Sequence, residues 1–241
     1  MNLDALWHDL ECGAYREDLQ LWRALAAETG GPVLDVGAGT GRVTLDLAAR
    51  GMAVVAVDVD AALLEALERR AARLPVETVV ADARRLALDR RFPLVLVPMQ
   101  TLQLLGGAPG RASFLRRALA HLEPGGLLAA AVADAMDCFD EEHDVPPPPD
   151  ACEIAGVRYA SRLLAVVDEG GRAAIHRRRE IIGPGERVEA HSVVVRLDRV
   201  SADEIAAEGC RLGFHDERRL YVPQSEEYLG STVIALRAPR R

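Results

Sequence analysis

The chain has 241 residues, a formal net charge of −8 at neutral pH, 49% hydrophobic residues and 27% charged residues. That length suits one α/β domain with an insertion and a sizeable core, and the composition argues against disorder. The acidic balance disfavours general nucleic-acid binding, and the longest aliphatic stretch, Leu127 to Ala133, is too short to span a bilayer. All 29 basic residues are arginine, which excludes a lysine nucleophile, a Schiff base or a phosphate-loop lysine.

The opening residues, Met-Asn-Leu-Asp-Ala-Leu-Trp-His-Asp, lack the build of a signal peptide. Cys12, Cys138, Cys152 and Cys210 are scattered, with no C-x-x-C pair and no His at ligand spacing, so they read as reduced thiols. The expectation is a cytoplasmic protein without a metal or a membrane partner.

Apolar residues at helical spacing (Leu3, Leu6, Trp7, Leu10, then Leu19, Trp22, Leu25, Ala26) predict two helices over 3–28, interrupted near Gly13. Gly30-Gly31-Pro32 ends the second and launches a strand at 33–36. That strand runs into Gly37-Ala38-Gly39-Thr40-Gly41, with a helical pattern over 40–50 behind it. Glycines at alternate positions let the chain turn sharply and let a ligand lie against bare backbone at the head of a helix. Asp35, just before the turn, can face a cationic ligand group. A dinucleotide fingerprint would need a third glycine at position 42, which is Arg42.

Beyond the loop the spacing predicts strand 53–58, helix 60–73, strand 76–80, strand 93–98, helix 110–122 and strand 127–133. Short apolar strands alternating with helices imply a parallel sheet covered on both faces, with ligands bound beyond the carboxyl ends of the strands. At those ends stand Asp58 and Val59, Asp82 and Ala83, and Pro98-Met99-Gln100-Thr101. Asp58 can accept two hydrogen bonds from a ribose diol; its competing reading is a cap for the helix that starts at Asp60. Asp82 can accept from an adenine amino group with Ala83 offering its N–H, and reads equally well as a helix cap.

Residues 135–152 hold Pro146 to Pro149 and the acidic Asp137, Asp140, Glu141, Glu142 and Asp144, a pattern that predicts a loop without helix or strand. Segments 157–168, 172–182 and 187–197, separated by Gly170-Gly171 and Gly183-Pro184-Gly185, predict an antiparallel meander. In its middle strand, His176-Arg177-Arg178-Arg179 splits its charge between two faces and reads as a solvated strand or a subunit contact ahead of a phosphate site. Ser201 and Glu204 form a capping box for a helix at 202–212, and segments 214–222 and 231–238 close the chain as an antiparallel pair.

The G-x-G-x-G loop behind Asp35, the acids Asp58 and Asp82 on the next strand ends, and Leu-Glu-Pro-Gly-Gly-Leu-Leu at 122–128 resemble the class I S-adenosylmethionine-dependent methyltransferases. The resemblance covers residues 30–134 and, in the terminal helix and strand pair, 201–238. It implies an α/β, doubly wound, Rossmann-like fold: a seven-stranded, mostly parallel sheet with an antiparallel last strand, plus an inserted three-stranded antiparallel meander. Residues 1–29 would be N-terminal helices covering the cofactor site, and 30–241 the methyltransferase domain with an insertion at 135–200.

The resemblance further implies S-adenosylmethionine, with S-adenosylhomocysteine as product. Its methionine end would lie over Gly37, Ala38, Gly39 and Gly41 with Asp35 nearby, its ribose on Asp58, and its adenine near Val59, Asp82 and Ala83. Pro98 and Met99 would pass beneath the sulfonium, with Tyr15 joining from the N-terminal segment. Gln100, Gln103 and His8 would line the acceptor pocket. His143 is the first candidate base and His8 the second, each beside the plainer reading of a surface histidine.

Val-Pro-Met-Gln after the fourth strand departs from the Asn/Asp-Pro-Pro-aromatic motif of enzymes acting on bases or glutamine amides. The meander and Tyr15 resemble small-molecule N-methyltransferases, including those for glycine and amino sugars. The expected function is methyl transfer to a small-molecule N or O nucleophile, in a homodimer paired through the meander's edge. A non-catalytic binding protein, an RNA or protein methyltransferase, and a dinucleotide-dependent reductase stay open as alternatives.

Overall fold

The computed structural model describes residues 2–133, 136–145, 147–183, 185, 188–225 and 229–240. Two helices, α1 (Leu3–Cys12) and α2 (Leu19–Thr29), precede β1 (Val33–Val36). Then come α3 (Arg42–Ala48), β2 (Val54–Asp58), α4 (Ala61–Ala71), β3 (Val76–Val80), β4 (Phe92–Val97), α5 (Gly107–His121) and β5 (Leu122–Val132). The insertion carries β6 (Phe139–Asp140), β7 (Asp150–Ile154), β8 (Val157–Asp168), β9 (Arg172–Ile182) and β10 (Val188–Asp198). The chain closes with α6 (Ala202–Arg211), β11 (His215–Val222) and β12 (Ser231–Arg237).

Seven strands form the main sheet in the order β11-β12-β5-β4-β1-β2-β3. All neighbours are parallel except β12, which runs antiparallel to both β5 and β11. Strand side chains alternate between two apolar layers. Leu34, Val36, Val55, Val57, Val95 and Val97 pack with Phe114 and Leu115 of α5 and Ile205 of α6. Val33, Val54, Leu94 and Leu96 pack with Trp22 and Leu25 of α2 and Val43 and Leu47 of α3. Burial on both faces is why these strands carry no polar alternation. The chain progresses outward from β1 in one direction through β2 and β3, and in the other through β4 and β5. The glycine loop therefore leaves β1 at the topological switch point, where sheets of this kind bind ligands.

The insertion departs from the sequence reading. Its sheet has five strands in place of three, in the order β10-β9-β8-β6 with β7 also on β8. The segment expected to be a loop supplies two of them: β7 pairs residues 157–161 of β8, and β6 pairs Ala165 and Val166 farther along the same edge. β8 is long enough, at 12 residues, to take both short strands end to end. The β7–β8 turn is Ala155-Gly156, both at positive φ (51° and 77°), a hairpin geometry whose usual Asn-Gly or Asp-Gly signal this chain lacks. Ala135 and Pro146 of the expected loop lie outside the described residues, as do Asp134 before it, Pro184 of the last meander turn, Glu186, and Arg187 at the start of the expected last meander strand.

The arginine run is also placed differently from the expectation. Arg177 and Arg179 do share one face, but that face is turned inward against α1. Arg179 makes a two-pronged bond to Glu11 at 2.8 Å on both oxygens, and lies over the Trp7 ring at 5.5 Å. Arg177 binds Asp150 and donates to Ser161 Oγ at 2.9 Å. Only Arg178, paired with Glu180, faces outward as a solvated residue would.

Candidate active site

Each glycine of the loop closes against a different element. Gly37, Gly39 and Gly41 have φ of 75°, 55° and 96°, a region that residues with a Cβ rarely adopt. A Cβ at 37 would collide with Thr101 after β4, at 39 with His8 of α1, and at 41 with Leu67 of α4. The N–H groups of Gly37 and Ala38 both reach Val57 O, at 2.8 and 3.1 Å. Gly39 N–H donates to Asp58 Oδ2 at 2.8 Å, and Asp60 N–H to Asp58 Oδ1 at 3.0 Å. Asp58 therefore braces the loop, and the α4 cap is Asp60, which accepts from Ala62 and Leu63 N–H. Two carboxylate oxygens offer about four lone-pair sites. Asp58 keeps acceptor capacity for a ligand at its half-buried position.

Asp35 is buried at 1% exposure. Its Oδ2 accepts from Thr44 Oγ at 2.6 Å, while Oδ1 is buried without a hydrogen-bond partner among the described residues. Burial pushes this carboxyl up to about 6, against the opposing pull of the Thr44 bond. An orphaned buried acceptor under a bare glycine loop is the kind of group that a donor-bearing ligand satisfies.

The N-terminal segment is tied over this loop by charge. Arg42, the residue that breaks the dinucleotide spacing, grips Asp18 with both prongs at 2.5 and 2.7 Å and donates to Tyr15 O at 3.0 Å. Asp18 also accepts from Trp22 Nε1 at 2.7 Å, and the Arg42 guanidinium sits 4.9 Å from the Tyr15 ring centre. From α1, Asp9 accepts from Thr40 Oγ1 at 2.6 Å and pairs with Arg70 of α4. Burial raises the Asp9 carboxyl, but the Arg70 and Thr40 bonds outweigh it and hold the group below its ordinary value. His8 lies between these contacts, with its Nε2–Cε1 edge on Gly39 and Nδ1 at 3.2 Å from Thr40 Oγ1. Burial lowers its pKa against the attraction of Asp9, Asp58 and Glu11.

The other expected site residues divide. Pro98 is buried, and its carbonyl accepts from Thr101 Oγ1 at 3.1 Å. Met99 adopts φ 54°, a strained value for a residue with a side chain, and such outliers gather at ligand sites. Gln100 is half-buried beside it and opens the 3₁₀ turn at Thr101–Leu104. Val59 stands 73% exposed past Asp58, and Ala83 begins the 3₁₀ turn after β3.

Four expectations are redirected by the geometry. Gln103 does not face a pocket: its amide is buried and clips the backbone of Ala133 in both directions, at 3.0 and 3.2 Å, and the carbonyl of Asp198 at 3.0 Å. Asp82 takes the helix-cap alternative, accepting from Arg84 N–H at 2.9 Å and from its guanidinium, whose bond holds the carboxyl below its ordinary value. Tyr15 is a core residue beneath Arg42. Its hydroxyl bonds Ser231, and its pKa is raised by burial first and by Asp18 second. His143 is exposed in its own turn, with Nδ1 at 3.1 Å from Asp140 Oδ2. Thr40, Thr44, Asp9, Asp18 and Arg70 were not singled out by the sequence reading. Their only linear signal is the i,i+4 spacing of Asp18 and Trp22.

Among the described residues, no group of three or more His, Cys, Asp or Glu is placed to hold a metal ion. Residues 33–126 match a family model described as a methyltransferase domain. The chain is 33% identical over 144 residues to a cypemycin N-terminal methyltransferase from Streptomyces sp., a match that takes in 60% of this chain and 56% of that one. It thus spans little more than half the length of this curated relative. The fold superposes on the sugar N-methyltransferase KedS8 from Streptoalloteichus sp. with a TM-score of 0.74, at 21% identity, over 99% of this chain and 93% of that one. It superposes on S-adenosylmethionine-bound CalS10, an amino pentose methyltransferase from Micromonospora echinaspora, with a TM-score of 0.68, at 22% identity, over 96% and 92%. At such identities the structural likeness establishes the fold. Residues 33–126 thus match the methyltransferase-domain model, and the described residues share the fold of these solved methyltransferases.

Proposed function

We propose that this protein transfers a methyl group from S-adenosylmethionine to the amine nitrogen of a small molecule. The observation that carries the reading is the acceptor-lined glycine cradle. Around backbone that admits no Cβ are the orphan Oδ1 of buried Asp35, the remaining lone pairs of Asp58 and the ring of His8. S-Adenosylmethionine, a cation that also bears a ribose diol and an ammonium group, brings donors and positive charge to such a site, so the residues present fit it. Gly37, Ala38, Gly39 and Gly41 would carry its methionine end, with Asp35 beneath, Asp58 on the ribose, Val59 and Ala83 beside the adenine, and Pro98 and Met99 below the reacting centre. The names of the three relatives, one an N-terminal methyltransferase, one an amino pentose methyltransferase and one a sugar N-methyltransferase, favour nitrogen over oxygen as acceptor atom.

When bound, the cofactor supplies a methyl group on a sulfonium, whose displacement needs no protonated leaving group. The chain's work is then to hold the acceptor in line and keep water away. The turn at buried Pro98 and half-buried Met99 and the N-terminal segment tied over the loop would do this. An amine acceptor must be neutral at attack. The relative that acts at a peptide N-terminus supports a second reading with the same chemistry, a peptide α-amine as acceptor.

We also propose that the chain is cytoplasmic, in keeping with four unpaired cysteines, and homodimeric through the open edge of β10. Calorimetry tests the main reading: S-adenosylmethionine should bind and NADPH should not, and the reverse overturns it. A methyl-transfer screen across amino sugars, amino acids and short peptides then identifies the acceptor. Light scattering at micromolar concentration that returns the monomer mass removes the dimer.

A further inference from the structure

His8 is the histidine that touches the glycine loop, and its hydrogen bonds fix which ring nitrogen is free. The Thr40 hydroxyl has a single proton, and the short bond to Asp9 Oδ1 at 2.6 Å takes it. The 3.2 Å contact between Thr40 Oγ1 and His8 Nδ1 must then be donated by the imidazole, which makes His8 the Nδ1–H tautomer. Nε2 is left with its lone pair, without a protein partner among the described residues, at the ring edge that rests on Gly39. The Asp58 carboxylate accepts from the N–H of the same glycine.

Two acceptors thus meet at Gly39. A ligand group lying on it has to donate twice, and a vicinal diol does so. We propose that His8 is a cofactor-binding residue, accepting through Nε2 a hydrogen bond from one hydroxyl of the ribose diol whose other hydroxyl donates to Asp58. The inference rests on the S-adenosylmethionine reading above and reassigns His8 from the acceptor pocket to the cofactor.

The role depends on a neutral ring, because an imidazolium cannot accept. Asp9 and Glu11 on the same helix and Asp58 at the end of β2 favour protonation. Burial and Arg42 on α3 oppose it, while Arg70 of α4 neutralises Asp9 from behind. The balance leaves the pKa below the ordinary histidine value, so the acceptor is present at neutral pH and is lost on acidification.

Calorimetric titration of S-adenosylhomocysteine into the whole protein tests this without turnover. His8→Asn keeps a donor near the Nδ1 position and removes the Nε2 acceptor; it should weaken binding about fivefold at pH 7.5. His8→Gln places a carbonyl near the Nε2 position and should recover most of that loss. As pH falls below the ordinary histidine value, the wild-type affinity should fall more than that of His8→Gln. With the 2′-deoxy or the 3′-deoxy analogue, whichever lacks the contacted hydroxyl, the penalty of His8→Asn should disappear. Equal affinities for wild type and His8→Asn, or a penalty that persists with both analogues, overturn the assignment. So does an Nε2–H tautomer in the ¹⁵N spectrum of the ligand-free protein. If the wild type binds no S-adenosylhomocysteine while showing the Nδ1–H tautomer, the functional reading falls and takes the role of His8 with it.

Discussion

The two sheets of this protein are held by different physics. Strands β1, β2 and β4 are buried on both faces, and the charged groups packed around them are few, enclosed and paired. Arg42 with Asp18 and Arg111 with Asp198 and Glu208 are all close to fully buried pairs. The inserted sheet is half exposed, its outer strand β10 bears mostly exposed side chains, and its ion pairs sit at the surface, as Arg196 with Glu169 does. Where its charges are enclosed, at Arg177 and Arg179, the enclosing element is α1, whose next turn rests on the glycine loop. A buried pair is costly to break because the partner stays behind uncompensated, whereas an exposed pair is replaced by water. The main sheet should therefore be intolerant of charge changes and the insertion tolerant.

The comparison breaks first at Arg42. Arg42→Ala leaves Asp18 buried with only Trp22 as donor, and should cost about 3–5 kcal/mol in urea unfolding. A loss within experimental error would show that the N-terminal segment is not locked by charge.

Asp35 tests the same burial through pH. Its folded pKa of about 6 exceeds the ordinary aspartate value of 3.8, so between these values the folded state holds a proton that the unfolded state releases. Its contribution to stability is thus fully present below about pH 4, falls as pH rises to about 6, and stays lost above. Asp35→Asn cannot ionise; its stability relative to wild type should rise through that window by roughly 2–3 kcal/mol and then level off. A flat difference between pH 4 and 7 in paired denaturation curves would mean that Asp35 titrates as an ordinary carboxyl.

Asp58→Ala removes both the brace on Gly39 and the proposed ribose contact. It should weaken S-adenosylmethionine binding by about 1.5–3 kcal/mol, or roughly 10- to 150-fold, by calorimetry. Unchanged affinity would place the ribose elsewhere. The smallest effect belongs to the insertion: Arg196→Ala should leave the melting temperature unmoved, because its partner Glu169 is solvated already. A measurable drop would make the insertion as charge-locked as the main sheet.

Much of the main sheet was legible in the sequence because its signals are local. Short apolar runs ending in Gly37, Asp58 and Asp82 give strand positions and the side of the sheet where chemistry lies, and the observed β1, β2 and β3 fall within a residue of the predicted spans. The insertion was half legible: Gly170-Gly171 marks the β8–β9 turn, but the prolines masked β6 and β7, whose pairing depends on an edge formed by residues that follow them. In the site, the three glycines announced themselves. Where Gln103, Asp82, Tyr15 and His143 turn was not legible, because a polar residue near a strand end can turn to backbone, to a neighbour, to the core or to water with the same sequence around it.

The sequence by itself determined the doubly wound core, the glycine loop at the switch point and the acids on the strand ends, since hydrophobic period and backbone freedom are properties of consecutive residues. Only the tertiary structure decided that Arg42 binds Asp18, that Asp35 keeps an unpaired oxygen, that Gln103 is a clip, and that His8 lies on Gly39 with one nitrogen free. Those facts depend on which groups distant in the chain are brought together and which are denied water. Hydrogen-bond commitments of this kind exist only once the elements have packed.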